Sequence, residues 1–207
     1  MATAAIEINH LTKAFGTFKA NDDISISFYN GQVHALLGEN GAGKSTLMNM
    51  LSGILRPTSG EIKIKGQVVD LHSAKDATDL GVGMVHQHFM LVDAFTVLEN
   101  IILGAEPTNA GRLNKKQARA KIQAILDQYD LELDLDAKVS DISVGMQQRV
   151  EIVKILFRDA DVLIFDEPTA VLTPQEITEL LKIMRKLADE GKAVILITHK
   201  LEEIRQV

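Results

Sequence analysis

The sequence of 207 residues contains no cysteine. Disulfides and thiolate chemistry are therefore excluded within it, which fits a reducing compartment such as the cytoplasm. No stretch approaches the roughly 20 apolar residues that a membrane-spanning helix needs. The first ten residues, MATAAIEINH, do not show the basic region and long apolar run of a signal peptide. Basic charge is not in excess either: 22 Lys and Arg stand against 28 Asp and Glu, a formal net charge of −6. That balance argues against a nucleic-acid partner, which selects a basic face. The densest basic cluster, Lys115, Lys116, Arg119 and Lys121, has helical neighbours and reads as the solvated face of a helix. What is present is an ordinary globular composition, 46% hydrophobic and 24% charged. The length suits one domain with a sizeable core.

Hydrophobic patterning divides the chain in three. Ile24, Ile26 and Phe28 alternate with polar residues, the period of a half-buried strand. Asn30-Gly31 then has the chemistry of a hairpin turn before the apolar run Val33 to Leu37. Leu47, Met50, Leu51 and Ile54 have helical spacing, and Pro57-Thr58-Ser59-Gly60 ends that segment. Short strands are expected around Gly66. In the middle third, Thr96 to Glu99 has the spacing of a capping box. Helices are expected over 115–129 and from about Gln147 to Phe157, so a mainly helical insertion is placed at about 90–157. In the last third, Val162-Leu163-Ile164-Phe165 and Ala193 to Ile197 read as strands buried on both faces. Between them, Thr173-Pro174-Gln175-Glu176 caps a helix whose apolar face is Ile177, Leu180, Leu181, Met184 and Leu187. Strand, helix and strand in that order imply an α/β fold with a parallel sheet.

The segment Gly38-Glu39-Asn40-Gly41-Ala42-Gly43-Lys44-Ser45, followed by Thr46, fits the pattern Gly, any four residues, Gly-Lys-Ser/Thr. Glycines there let successive backbone N–H groups turn inward around phosphate oxygens. Lys44 reaches the β- and γ-phosphates, the Ser45 hydroxyl is placed for Mg²⁺, and the following helix points its positive end at the same anion. An ordinary Gly-rich turn before a helix is the bland alternative. It suits the context less well, because the motif sits between a strand-like and a helix-like run.

A second constellation supports the first. Val162 to Phe165 runs into Asp166-Glu167-Pro168. Asp166 at a strand end suits Mg²⁺, and Glu167 suits a general base for the attacking water. Two acids capping a turn are the alternative reading. His199 follows another strand and so points to the carboxyl edge of the sheet, where ligands gather; a structural histidine is as good a reading there. His86 and His88 could share a strand face as metal ligands, but neither cysteines nor nearby acids complete such a site.

Over essentially its whole length the chain resembles the ATP-binding-cassette (ABC) ATPases. The resemblance implies a phosphate-loop NTPase core with an antiparallel β subdomain and a helical subdomain. Gln87 matches the glutamine that touches Mg²⁺ and couples to the membrane partner. His199 matches the histidine that contacts the γ-phosphate, and Phe15 the aromatic that stacks on adenine. Ile142 to Arg149 occupies the family signature, with Val144 and Met146 departing from the usual Leu-Ser-Gly-Gly-Gln. Ser143 and Gly145 remain, and are implied to meet the γ-phosphate of ATP held by a facing cassette. The usual aspartate of the loop after Glu167 is replaced by Thr173.

Ser143 to Ile152 and Asp166 to Glu176 are similar to the amino-terminal cassette of bacterial importers for nucleosides and simple sugars. Residues 146–149 lean toward nucleosides. The resemblance implies MgATP hydrolysis on the cytoplasmic face of the membrane, beside transmembrane permease subunits. A solute-binding protein acts there indirectly, with no nucleic acid. A second cassette, fused beyond Val207 or supplied by a homodimer, is expected, so these residues read as one cassette truncated at its carboxyl end. The rival readings are an ABC-class ATPase acting on ribosomes or DNA, and a regulatory nucleotide-binding module without turnover.

Overall fold

The computed structural model describes residues 4–109 and 111–200. Its first half runs β1 (Ala4–Phe15), β2 (Phe18–Tyr29), β3 (Gln32–Leu37), α1 (Lys44–Leu51), β4 (Ser59–Ile64), β5 (Gln67–Val69), α2 (Ala74–Asp79) and β6 (Val82–Val85). Its second half runs α3 (Val97–Ile102), β7 (Thr108–Asn109), β8 (Arg112–Leu113), α4 (Lys115–Tyr129), α5 (Val144–Phe157), β9 (Val162–Asp166), α6 (Pro174–Asp189) and β10 (Ala193–Thr198). Strands β2-β1-β4-β5 form an antiparallel sheet, and β3-β10-β9-β6 form a parallel one.

The parallel sheet is the centre of the molecule, because β9 and β10 are buried from end to end. Successive side chains of a strand point to opposite faces, and the two faces have different company. Leu163, Phe165, Val194 and Leu196 pack in one core with apolar residues of α3, α4, α5 and α6. Val162, Ile164, Ala193, Ile195 and Ile197 pack in a second core with α1 and the antiparallel sheet. The same alternation sends Asp166, two residues after Ile164, toward the α1 side.

Both expected capping boxes are present: Thr96 with Glu99 starts α3, and Thr173 with Glu176 starts α6, with Pro174 in the first turn. The expected apolar face of α6 is buried, with Ile177 packed at its margin. The basic cluster on α4 lies along a solvated surface, where Lys115 pairs with Glu99, Arg119 with Asp136 and Lys121 with Asp159.

Three expectations are corrected. Asn30-Gly31 does not close a hairpin, since β2 and β3 belong to different sheets and β3 pairs in parallel with β10. The Gly31 N–H donates instead to the Lys192 carbonyl at 3.0 Å. Turn chemistry permits a reversal, but pairing is decided by burial, and β3 gains more beside the buried β10. Ile54 does not continue the α1 face. Gly53, at φ 73°, takes the left-handed turn that ends the helix, and Ile54 is 48% exposed. Helix α5 starts at Val144 rather than near Gln147, because the Ser143 hydroxyl caps it by accepting the Met146 N–H at 3.3 Å.

Candidate functional site

The loop 38–43 joins β3 to α1, and its glycines have two distinct reasons. Gly41 and Gly43 hold φ of 85° and 83°, a region that favours glycine. A Cβ at Gly41 would meet no described residue within 4 Å, so among these residues it is backbone conformation that favours glycine there. At Gly43 a Cβ would stand 2.2 Å from the Ala20 carbonyl oxygen and 2.9 Å from Asn21 Nδ2. Strand β2 is pressed against the loop there, and Asn21 Nδ2 donates to the Gly43 carbonyl at 3.2 Å. Lys44 Nζ lies within the loop, donating to the carbonyls of Gly38 at 2.6 Å and Glu39 at 2.7 Å. Glu39, Asn40, Gly41, Ala42 and Ser45 are exposed along the rim, and Thr46 is half-buried in the first turn of α1.

Register brings the other residues to the same edge. Leu37 is level with Thr198, Asp166 with Ile197, and Val85 with Phe165, so all four parallel strands end together. Asp166 is 7% exposed and accepts from the Ser45 hydroxyl at 3.3 Å. Burial raises its pKa and the adjacent Glu167 adds to the rise, while the Ser45 hydrogen bond, His86 and Lys44 oppose it. Next to it, Glu167 sits between two neighbours. Gln87 Nε2 donates to its Oε2 at 3.3 Å, and His199 Nδ1 lies 3.4 Å from its Oε1. Thus Lys44, Ser45, Gln87, Asp166, Glu167 and His199, which span 156 positions of sequence from 44 to 199, form one cluster at the carboxyl edge.

These side chains suit a phosphate ester and a divalent cation. Mg²⁺ is typically held by one or two protein oxygens together with substrate phosphates, and Ser45 with the buried Asp166 carboxylate supplies that kind of set. His86 is half-buried with its pKa lowered by burial, whereas His88 is exposed. Among the described residues no group of three or more His, Cys, Asp or Glu could hold a metal ion.

The family model described as ABC transporter matches residues 21–170. The chain belongs to the ABC transporter family. It is 60% identical to the nucleoside import ATP-binding protein NupA of Lactococcus lactis subsp. cremoris, over 98% of this chain and 40% of that protein. It is 59% identical to the guanosine import ATP-binding protein NupO of Bacillus subtilis, over 92% of this chain and 37% of that protein. The chain thus spans about two fifths of the length of these curated relatives. A dimeric ATP-binding cassette solved in a post-hydrolysis state with ADP and Pi superposes with a TM-score of 0.81 at 26% identity. That match covers 97% of this chain and 90% of the other.

The remaining residues of the family motifs lie apart from the cluster. Ser143 bonds within the first turn of α5, and the neighbouring Val144 and Met146 side chains are exposed. Gly145 is buried beneath Glu176. Phe15 ends β1, 51% exposed, with the Lys13 ammonium 5.1 Å from its ring centroid. Thr173 caps α6.

Sequence reasoning missed the residues that brace these parts. Asn21 holds the phosphate loop. Glu151 and Lys154 on α5 grip both peptide groups of Met90, just beyond Gln87: Glu151 Oε1 accepts its N–H at 2.7 Å and Lys154 Nζ donates to its carbonyl at 3.0 Å.

Proposed function

We propose that this chain binds MgATP at 38–46 and hydrolyses it to drive uptake of a nucleoside through an ABC importer. The observation that carries the reading is the Glu167 carboxylate, held between Gln87 and His199 beside Lys44 and the buried Asp166. Phosphoryl transfer to water needs positioning and charge stabilisation more than covalent chemistry. Inward backbone N–H groups of the loop and the Lys44 ammonium take the charge of the phosphates. Ser45 and Asp166 would hold Mg²⁺, which when bound would supply positive charge against the charge of the phosphates. Glu167 accepts a proton from water as its oxygen bonds the γ-phosphorus and the bond to the β-phosphate oxygen breaks. His199 and Gln87 orient that water and the carboxylate. The exposed Phe15 ring offers a face for adenine.

Ser143 and Gly145 act in trans, on ATP bound by a second cassette, which the dimeric ADP-bound relative supports. That second cassette is fused downstream or supplied by a second copy. Permease subunits at the cytoplasmic membrane face, and a solute-binding protein acting through them, complete the importer. Nucleoside rather than sugar is favoured by the two relatives at 59–60% identity, a nucleoside and a guanosine import ATP-binding protein.

Lys44→Ala should abolish ATP binding, whereas Glu167→Gln should retain binding and suppress turnover. Substantial steady-state hydrolysis by Glu167→Gln would sink the assignment of the base. Turnover per subunit of residues 1–207 alone should rise with protein concentration, and a fast, concentration-independent rate counts against completion in trans. For the assembled transporter, ATP-dependent uptake of guanosine that outruns ribose supports the solute class; the reverse overturns it.

A further inference from the structure

We propose that Gln148 is a positioning residue for hydrolysis, holding the turn that aims Glu167 from within the signature helix. The proposal rests on Glu167 being the base. Glu167 has φ 46°, a left-handed conformation that residues other than glycine rarely hold. Such a conformation persists only where its surroundings fix it. Two of the bonds that do so are backbone bonds: Glu167 N–H donates to Ile197 carbonyl at 3.0 Å, and Ala170 N–H to Glu167 carbonyl at 3.3 Å. Gln148 adds a third from a different element. Its Nε2 donates to the Pro168 carbonyl at 2.8 Å, one residue beyond Glu167. Proline has no N–H, so this carbonyl is the only hydrogen-bonding group of its own that Pro168 offers. Lys200 Nζ reaches the next residue, 3.4 Å from the Thr169 carbonyl.

Packing does not account for a glutamine here. Gln148 is 2% exposed, and its buried Oε1 has no hydrogen-bond partner among the described residues. A half-satisfied buried amide is less stable than an apolar side chain of similar size. Its position supplies a reason. Gln148 lies five residues after Ser143, on the helix whose first turn is the signature. A shift of α5 relative to β9 is therefore felt at Pro168 and at the Glu167 carboxylate. Whatever docks on the signature acts on the base of the same cassette through this bond.

The test uses the full-length protein. Gln148→Leu removes the donor at similar volume, and Gln148→Glu keeps the shape but sets a carboxylate against the carbonyl. Both should lower kcat about tenfold or more, with the MgATP KM and the affinity for a fluorescent ATP analogue within about twofold. The thermal midpoint of Gln148→Leu should hold or rise. In a Glu167→Gln background, Gln148→Leu should lower the residual rate no further, because the group it positions is already gone.

Unchanged kcat in folded Gln148→Leu beside an inactive Glu167→Gln overturns the role of Gln148 alone. So does an additive loss in the double variant, or a loss of affinity that matches the loss of rate. Turnover by Glu167→Gln overturns the base itself. Should Gln148→Leu fail to fold, Gln148→Met carries the same comparison.

Discussion

The Glu176 carboxylate lies against Gly145 so closely that a Cβ on the glycine would stand 2.0 Å from Oε1. The signature helix and the helix that follows Glu167 thereby meet at their first turns. Glu176 cannot retreat freely, because its Oε2 closes the cap of α6 by accepting from both the N–H and the hydroxyl of Thr173 at 2.8 Å. Two effects of Gly145→Ala then oppose one another. Alanine in a helix gains up to about 1 kcal/mol over glycine, and loss of a cap costs about 1 kcal/mol. With Glu176 present the substitution should be neutral or destabilising. In a Glu176→Ala background it should stabilise by up to about 1 kcal/mol. Urea unfolding of the four proteins measures the coupling; additive effects would remove the contact.

Glu176 also makes stability depend on pH. Its pKa is lowered, chiefly by the Thr173 N–H, with the Thr173 hydroxyl next. A carboxyl depressed in the folded state contributes stability above its unfolded pKa, near the ordinary glutamate value, and loses it as pH falls through the folded one. Glu176→Gln keeps the cap geometry and removes the charge. Its deficit against the parent should therefore be present at neutral pH and close on acidification below the usual carboxylate range. A deficit independent of pH would mean that the charge contributes nothing.

The places of the proposed site residues at the sheet edge were legible because each follows a recognisable apolar run. Gly38 to Ser45, Asp166-Glu167 and His199 could each be placed at a strand end from the apolar run before it. Strand pairing was not legible in the same way. Asn30-Gly31 satisfies the local requirements of a hairpin, yet β3 joins the other sheet, and only the burial of β10 decides that. Helix α2 and the short β7–β8 ribbon were missed, since each is too short for a periodicity to emerge. The braces Asn21, Gln148 and Glu151 act through contacts 20 to 61 residues away in sequence. No local pattern encodes such contacts.

The grip on Met90 gives a third prediction. Glu151 is buried and Lys154 nearly so, with Glu151 Oε2 3.7 Å from Lys154 Nζ. Glu151→Leu strands the ammonium and leaves the Met90 N–H without its acceptor. A buried pair broken on one side costs about 3–5 kcal/mol, and the slight exposure of Lys154 places this case at the lower end. Glu151→Leu with Lys154→Met removes both charges and should lose less than the sum of the single losses. Chemical denaturation checks both statements, and strict additivity would show that the two act separately.

Gly41 and Gly43 share a backbone conformation, so a comparison between them separates conformation from contact. Gly41→Ala meets no described residue within 4 Å and faces the left-handed penalty, about 1–2 kcal/mol. Gly43→Ala adds a clash with the Ala20 carbonyl, a backbone atom that cannot rotate away. Overpacking of that kind adds about 1–3 kcal/mol. It also pushes apart β2 and the loop that Asn21 ties together. Gly43→Ala should therefore destabilise more than Gly41→Ala and weaken ATP binding further, although both positions lie in the same phosphate motif. Equal losses of nucleotide affinity at equal stability would mean that phosphate alone selects glycine at 43. The larger loss at 43 would mean that the antiparallel sheet, pressed on the loop through Ala20 and Asn21, sets the shape into which the phosphates fit.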